Sequence, residues 1–289
     1  MDRKHALIIT AYQEIDYLVE LCKVYTRYFY CYIHIDKKSK IAHEDIENLS
    51  RMQKVYVISK YKINWGSYKH ILAISELLKK AVDDKMDYYH IISANTILIK
   101  PPKKLFDFFD ENPNRIYMEI KERKPELFYE FDYRYTAYFF QHIYNLKGKL
   151  RFLWQHVEKY GSKLQRKMNI RKDIQFNYKG YIYCHLPYLA VDYVLEYIKK
   201  NPEYIQRLKY CYVSEEFFFQ NILKDSPYGK DIVNDALIYD DWEDRGTGMP
   251  CFLDETDIIK IENSSCFFAR KVAKKQRGVF DAIRWKENF

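Results

Sequence analysis

The sequence predicts an α/β fold with a mostly parallel central sheet flanked by helices. Runs with buried-strand character alternate with segments of helical periodicity in the N-terminal third of the chain, a pattern typical of βαβ units. A composition of 48% hydrophobic and 30% charged residues is that of an ordinary globular protein. Neither a repeat nor a Pro-, Gly- or Ser-rich linker divides the 289 residues, so we expect a single domain.

The predicted elements follow from the N-terminus. The strands are short runs rich in β-branched and aromatic residues, and the helices carry apolar residues three or four positions apart. The strands are predicted at 6–10, 31–36, 55–58 and 88–93, and the helices at 17–28 and about 67–81. Ligands bind such sheets at the carboxyl ends of the strands. The loops after Thr10, Asp36 and Ser93 are therefore expected to line one crevice.

The formal net charge of +8 predicts an anionic partner. The segment 147–172 contains nine Lys and Arg residues and one acid, Glu158, so its own net charge equals that of the whole chain. Its apolar residues have partly helical spacing, which suits either a helix lying on an anionic membrane or a solvated insertion with an ordinary buried stripe. These apolar residues are Leu150, Leu153, Trp154, Val157 and Leu164.

Other features bear on the class and the location of the protein. A nucleic-acid-binding protein would explain the charge, but the sequence has no recognition motif for that class. No run approaches the ~20 apolar residues of a membrane-spanning helix, and the apolar run near Met1 is too short for a signal peptide. The six cysteines lack C-x-x-C spacing, which favours reduced thiols, no disulfides and no zinc. We therefore expect a cytoplasmic protein. A peripheral contact with the inner face of the cell membrane is compatible with that location.

Five segments in collinear order resemble motifs of the Core-2/I-branching glycosyltransferases, glycosyltransferase family 14. Together they run from about residue 5 to residue 272. They are Tyr32-Ile33-His34-Ile35-Asp36-Lys37-Lys38-Ser39 for I-H-V-D-x-K-S, Asn64-Trp65-Gly66-Ser67 for W-G/S, His90-Ile91-Ile92-Ser93 with Ile97-Leu98-Ile99-Lys100 for L-S-G-x-D-x-P-I-K, Ser214-Glu215-Glu216-Phe217-Phe218-Phe219-Gln220-Asn221 for P-D-E-x-F-F-Q-T, and Phe267-Phe268-Ala269-Arg270-Lys271 for F-A-R-K.

The resemblance implies a GT-A type fold and transfer of a sugar, N-acetylglucosamine or another hexose, from a UDP-sugar to a carbohydrate hydroxyl. It also implies inversion at the anomeric carbon and no divalent metal or other cofactor. One catalytic domain would span residues 1–289, with a nucleotide-sugar-binding half to about 115 and an acceptor-binding half that holds a basic helical insertion near 145–175. The expected partners are the UDP-sugar and a glycan or lipid-linked oligosaccharide acceptor, in the synthesis of a bacterial surface polysaccharide such as a capsule.

The usual metal-binding motif can be looked for in the sequence itself. No two Asp residues lie two positions apart, so the chain lacks the Asp-x-Asp pair with which GT-A enzymes usually hold a metal on the diphosphate. Protein cations must then neutralise the departing UDP. By resemblance, Lys271 binds phosphate with Arg270 beside it, and Arg245 is the expected second cation upstream. A solvated surface turn is the alternative for Arg270 and Lys271, although the apolar residues before them favour a buried strand.

Inverting transfer needs a carboxylate that accepts the proton of the acceptor hydroxyl. Glu216 matches the family's catalytic position and is predicted as this base. Glu215 is expected to point elsewhere, because adjacent side chains differ in direction. The structural alternative is that both acids only favour a helix N-terminus, which Ser214 is expected to cap.

The remaining assignments come from the resemblance. Ile35, Asp36 and Trp65 are placed near the nucleotide, with a turn cap for Asp36 and a core position for Trp65 as alternatives. Glu119 and Tyr183 are placed at the acceptor, since a carboxylate can accept two sugar hydroxyls and an aromatic ring can stack on a sugar.

One departure from the family pattern concerns the donor. The family's Gly-x-Asp after Ser93 is replaced by Ala94-Asn95-Thr96, so an acid is missing. If that acid orients the donor sugar, Thr96 indicates an unusual donor, a relaxed site, or a catalytically inactive relative that binds UDP or glycan. The retention of Glu216, Arg270 and Lys271 favours an active enzyme.

Overall fold

The computed structural model describes residues 3–41, 43–171, 175–246 and 249–283. Lys172, one of the basic residues of the segment 147–172, lies outside them. The strands are β1 (His5–Ala11), β2 (Tyr30–Ile35), β3 (Val55–Ile58), β4 (Tyr88–Ser93), β5 (Thr96–Leu98), β6 (Ile116–Met118), β7 (Lys121–Glu122), β8 (Tyr178–Lys179), β9 (Cys184–Pro187), β10 (Ile232–Val233), β11 (Ile238–Tyr239) and β12 (Phe268–Arg270). The helices are α1 (Ile15–Tyr25), α2 (His43–Arg51), α3 (Lys69–Asp83), α4 (Pro102–Glu111), α5 (Asp132–Tyr135), α6 (Arg151–Lys167), α7 (Tyr188–Lys200), α8 (Pro202–Lys209), α9 (Phe218–Lys224), α10 (Ile258–Asn263) and α11 (Arg277–Ile283).

A seven-stranded sheet with the order β10-β6-β9-β4-β1-β2-β3 forms the centre of the described fold. Its neighbouring strands pair in parallel, except that β9 is antiparallel to both β4 and β6. A smaller sheet has the order β11-β12-β5, and β7 pairs with β8. The predicted α/β fold, with a mostly parallel central sheet flanked by helices, is confirmed.

The central sheet separates two hydrophobic cores, because alternate residues of a strand point to opposite faces. On β1, Leu7 and Ile9 pack into the core that also holds α1. Ala6 and Ile8 pack into the core that holds α3 and α7. Burial of both faces explains why β1 reads as a nearly continuous apolar run rather than an alternating one.

The loops at the carboxyl ends of β1, β2 and β4 adjoin one another, as predicted. The Asp36 amide donates to the carbonyl of Ala11 at 2.8 Å, and the Ala94 amide donates to the carbonyl of Thr10 at 3.0 Å. In the smaller sheet, β12 runs antiparallel to β5, with Arg270 opposite Thr96. A segment from the C-terminal part of the chain therefore lies at this edge of the central sheet.

Helix α6 forms the predicted basic insertion and exposes its apolar residues. Of the helix residues, all of which the structure describes, only Glu158 and Ser162 are buried. Four of the apolar residues named from the sequence are 49–60% exposed, so the alternative of an ordinary buried stripe is wrong. These are Leu150, Leu153, Val157 and Leu164. No helix among the described residues is long and apolar enough to span a bilayer.

Candidate active site

Strand β12 carries a buried guanidinium to the edge of the crevice. Arg270 is only 8% exposed, and its guanidinium carbon lies 4.5 Å from the centre of the Tyr183 ring. In the described part of the chain, no carboxylate forms an ion pair with Arg270, and its Nε has no hydrogen-bond partner. A buried cation of this kind is unfavourable unless an anion completes its surroundings.

Lys271 follows Arg270 directly in the chain. Its Nζ donates to the carbonyl of Pro250 at 2.8 Å. Burial, together with the positive charges of Arg270 and Lys147, lowers the pKa of Lys271 to about 8. Lys147 is a third cation of this group that carried no signal in the sequence, because it lies within the long basic segment. This concentration of positive charge, which Asp240 offsets only in part, favours an anion such as a diphosphate.

Glu216 lies in a short 3-10 turn (Ser214–Phe217) that leads into α9. Its Oε2 accepts from Arg134 Nη1 at 2.5 Å and from Lys179 Nζ at 3.3 Å. Neither cation is recognisable from the sequence, since both lie far from Glu216 along the chain. Two positive partners thus hold this carboxylate in place, and they are charge-assisted contacts of the stronger kind.

The prediction that Ser214 caps this turn is wrong. The turn begins at Ser214 itself, so Val213 takes the cap position, with a left-handed φ of 48°. The Ser214 hydroxyl is buried, and it has no hydrogen-bond partner within the described ranges. A hydroxyl caps a helical turn from the residue that precedes the first helical position, where it can reach the free backbone amides. Ser214 is itself the first residue of the turn.

Glu215 contacts a different set of residues from Glu216. Its Oε2 lies 3.0 Å from His70 Nδ1, and His70 Nε2 lies 3.0 Å from the Thr10 hydroxyl. Burial raises the pKa of Tyr183, Arg270 opposes this effect, and Glu215 adds to it. Glu215 is therefore close enough to Tyr183 and Arg270 for its charge to act on the crevice, and it is a rival to Glu216 for the role of base.

Glu119 follows β6 and belongs to the same group of charges as Glu216. Burial raises the pKa of Glu119, Lys179 lowers it, and Glu216 raises it further. The backbone of Gly180 brings the two acids together: its amide donates to the carbonyl of Glu216 at 2.9 Å, and a Cβ at this position would lie 1.9 Å from the carbonyl oxygen of Glu119. Only glycine fits such a close approach.

Asp240 is a further acid of the site that sequence reasoning missed. Burial raises its pKa, and Arg270 opposes that shift. Its Oδ2 is buried and, among the described residues, lacks a hydrogen-bond partner. Asp240 therefore provides a free acceptor oxygen close to Arg270 and Glu119, where a sugar hydroxyl could donate.

The residues predicted near the nucleotide are spread along the loop after β2 and the segment before α3. Ile35 is fully buried in the core. Asp36 accepts from the amides of Lys38 and Ile63 at 3.0 and 3.2 Å, which is the turn-cap alternative. Trp65 is 39% exposed, so the core alternative for it is wrong. His34 is a buried strand residue, and its Nε2 accepts from the Tyr61 amide at 3.0 Å.

The guanidinium of Arg245, the second cation expected from the resemblance, is bound by carboxylates of the protein. Both of its terminal nitrogens bind Asp257, at 2.8 and 2.9 Å, and Nη2 also binds Asp241 at 2.6 Å. These bidentate contacts occupy the guanidinium.

A cleft of about 860 Å³ lies between α6 and the segment around Trp65. Lys147 Nζ lies 4.7 Å from the Trp65 ring at its wall. The cleft adjoins Glu216 through Arg134, whose carbonyl accepts from the Tyr212 amide at 2.7 Å. Aromatic faces of this kind suit sugar rings. The aromatic lining residues are Trp65, Phe128, Tyr129, Tyr133 and Tyr212.

Across the described residues, no group of three or more His, Cys, Asp or Glu side chains is arranged to hold a metal ion.

Comparison with known proteins bears on the family. The family model of the Core-2/I-branching enzymes (Branch) matches residues 6–264, so Arg270 and Lys271 lie just beyond the matched range. Among solved structures, the chain is similar to a putative glucose-1-phosphate thymidylyltransferase from Bacillus anthracis in complex with a sucrose, with 9% identity, 99% of this chain and 97% of that chain covered, and a TM-score of 0.38. The comparison with curated proteins gives no match. The family match covers most of the sequence, and the chain therefore belongs to the Core-2/I-branching enzyme family of glycosyltransferases.

Proposed function

We propose that this enzyme moves a hexosyl or N-acetylhexosaminyl group from a UDP-sugar to a carbohydrate hydroxyl, with inversion and without a divalent metal. The observation that carries the proposal is the buried, unpaired guanidinium of Arg270 next to Lys271. A diphosphate supplies the anion that this pair lacks, and Lys147 adds a third charge. Protein cations then perform the neutralisation that a metal performs in other enzymes.

Glu216 acts as the base in this proposal. The acceptor oxygen bonds to the anomeric carbon from the face opposite UDP, the bond between that carbon and the UDP oxygen breaks, and the acceptor proton passes to Glu216. Arg134 holds the carboxylate at 2.5 Å. The longer Lys179 contact, at 3.3 Å, is the one that the acceptor hydroxyl replaces. Arg270 and Lys271 stabilise the negative charge that develops on UDP.

The acceptor occupies the space between Glu119, Tyr183 and the aromatic cleft. Glu119 and the free oxygen of Asp240 accept sugar hydroxyls, while the rings of Trp65 and Tyr212 lie against sugar faces. A cleft of about 860 Å³ has room for more than one sugar unit, which favours an oligosaccharide or lipid-linked glycan acceptor. The proposed role is the cytoplasmic synthesis of a bacterial surface glycan.

A binding protein without turnover is the second candidate, and one contact favours it. Thr96 stands opposite Arg270 in the small sheet, and its hydroxyl lies 2.8 Å from that of Ser93. The place of an acid near the donor is therefore filled by a neutral group with an internal partner. Such a protein would bind UDP through Arg270 and Lys271 and leave the sugar in place.

A UDP-release assay separates these candidates. Wild-type enzyme is incubated with each of a panel of UDP-sugars in the presence of EDTA. The UDP released by slow hydrolysis of the donor is measured. We expect release from one preferred donor. Glu216→Gln lowers it by roughly 10²–10⁴-fold, while the matched variant Glu215→Gln loses much less.

The opposite pattern in the two variants would assign the base to Glu215 with His70 as its positioning residue. Tight UDP binding by calorimetry without release from any donor would support the binding protein. Absence of both UDP binding and release would overturn the glycosyl-transfer proposal.

A further inference from the structure

Helix α6 is oriented with its apolar side away from the protein. Its buried residues are polar: Glu158, which accepts from the Tyr144 hydroxyl at 3.1 Å, and Ser162. Five of the exposed apolar residues follow one another at intervals of three, four or seven positions, so they form one stripe along the helix and its two ends. A folded protein gains nothing from such a stripe in water, and exposed apolar surface of this kind marks an interaction site. The stripe consists of Leu150, Leu153, Val157, Leu164 and Met168.

Basic residues flank this apolar stripe. Lys159, Lys163 and Lys167 follow one another at four-residue intervals, so they share a face of α6 beside the stripe. Lys159 and Lys163 also line the cleft of about 860 Å³. The cationic face therefore lies between the stripe and the cleft, and the residues of both faces are mostly exposed.

We propose that α6 docks the enzyme on an anionic lipid bilayer. The apolar stripe enters the boundary between headgroups and acyl chains, and the lysines contact the anionic headgroups. One partner then contacts both the apolar stripe and the lysines, since a bilayer has an apolar interior directly beneath its negatively charged headgroups. A purely apolar partner would leave the lysines unused, and a purely anionic one would leave the stripe in water.

Docking through α6 also places the cleft at the membrane surface. Its wall of Lys159 and Lys163 then faces the headgroup layer, where a glycan carried by a lipid would enter. This second step rests on the proposed function, whereas the docking itself depends only on α6.

Vesicle sedimentation tests the docking. The protein is mixed with vesicles of phosphatidylcholine alone, or of phosphatidylcholine with phosphatidylglycerol, at low and high salt. We expect binding to the phosphatidylglycerol vesicles that weakens with salt, because headgroup attraction is screened, and that persists in part because the stripe is apolar.

Two pairs of variants make the test specific. Leu153→Ser with Leu164→Ser removes the middle of the stripe, and Ile259→Ser, at a position 72% exposed on α10, is its control. Lys149→Glu with Lys167→Glu reverses charges outside the cleft, and Lys199→Glu on α7 is its control. Each double variant is expected to lower vesicle binding by roughly tenfold or more, and each control is expected to bind as wild type does.

Circular dichroism and UDP release in solution, without vesicles, show whether the variants remain folded and active. Absence of wild-type binding to phosphatidylglycerol vesicles would overturn the proposal, as would binding that both double variants retain. A wild-type dimer in light scattering that dissociates in the stripe variant, together with no vesicle binding, would assign the stripe to self-association instead. Vesicle binding without UDP release would support the docking proposal and contradict the proposed function.

Discussion

At the scale of single residues, the site is defined by charges without local partners. Burial and the positive charges of Arg270 and Lys147 lower the pKa of Lys271. Arg134 and Arg245, by contrast, are paired with carboxylates. Under the proposed function, the first three cations receive the diphosphate, whereas the other two bind acids of the protein itself.

The affinity for UDP is expected to fall as the pH rises through about 8, because Lys271 then loses its proton. The loss between pH 7 and pH 9 amounts to roughly tenfold if binding requires the charged form. Lys271→Arg keeps its charge over this range and flattens the profile. Titration calorimetry with UDP at the two pH values measures both. A flat wild-type profile would remove Lys271 from the phosphate site.

Glu158 is expected to destabilise the protein above neutral pH. Burial raises its folded pKa to about 7 from the ordinary value of 4.5, with the Tyr144 hydroxyl opposing the shift. The folded state then binds the extra proton, so the stability contributed by this group is full below pH 4.5 and is lost as the pH rises to about 7. Glu158→Gln should raise the free energy of unfolding at pH 8 by about 1–3 kcal/mol and leave it nearly unchanged at pH 5. Urea unfolding at both pH values is the measurement, and an equal change at both would contradict the argument.

At the scale of elements, the approach of three backbone segments brings Glu119 and Glu216 together. Gly180 lies after β8, its amide binds the carbonyl of Glu216 in the turn before α9, and it packs on the carbonyl of Glu119 after β6. The Gln220 side chain of α9 donates to the carbonyls of Glu119 and Tyr181. The spacing of the two acids is therefore set by backbone contacts.

Gly180→Ala is expected to disrupt this arrangement, because its Cβ would meet the Glu119 carbonyl at 1.9 Å. We expect a loss of stability of about 2 kcal/mol or more and loss of UDP release. The matched change Gly161→Ala, in α6, meets nothing within 4 Å and should stabilise the helix by roughly 0.5–1 kcal/mol. Thermal unfolding of both variants measures these changes in stability. A Gly180→Ala variant as stable as wild type would show that the backbone segments of Gly180 and Glu119 can move apart.

The elements differ in how far the sequence predicts them. Strands β3 and β4 were predicted with their observed ends, since long apolar runs carry a strong signal. The strands of two or three residues in the C-terminal half, such as β10, carry no periodicity. Motif order placed Glu216 and Arg270, but it gave no sign of Arg134, because a contact between distant segments leaves no local pattern. The amphipathic pattern of α6 was visible, whereas its outward orientation depends on what the helix packs against.

At the scale of the whole molecule, buried histidines link three strands of the central sheet. His5 on β1 lies 2.9 Å from His90 on β4, and His90 lies 3.0 Å from His185 on β9. Burial lowers the pKa of His5 and of His185 to about 3, with Arg3 contributing for His5, and it lowers that of His90 well below 6.5. The fold therefore holds all three rings neutral.

Acid is expected to destabilise the protein already below pH 6.5. There the unfolded chain protonates these histidines and the folded chain does not, so stability is full above pH 6.5 and is lost as the pH falls. Each histidine contributes roughly 1.4 kcal/mol per pH unit below that point. Urea unfolding at pH 7.5 and pH 5.5 measures the slope, with His156→Gln, an exposed position on α6, as a control that should not alter it. Equal stability at the two pH values would show that protons reach the cluster in the folded state.

The pairing of β12 with β5 has a consequence for the order in which the protein becomes competent. Strand β5 leaves the ribosome well before Arg270 and Lys271 are added. A nascent chain can complete the parallel part of its sheet while both of these cations are still missing. Under the proposed function, translation products that stop before Arg270 lack the means to sequester phosphorylated metabolites, and binding begins only when β12 folds back onto β5.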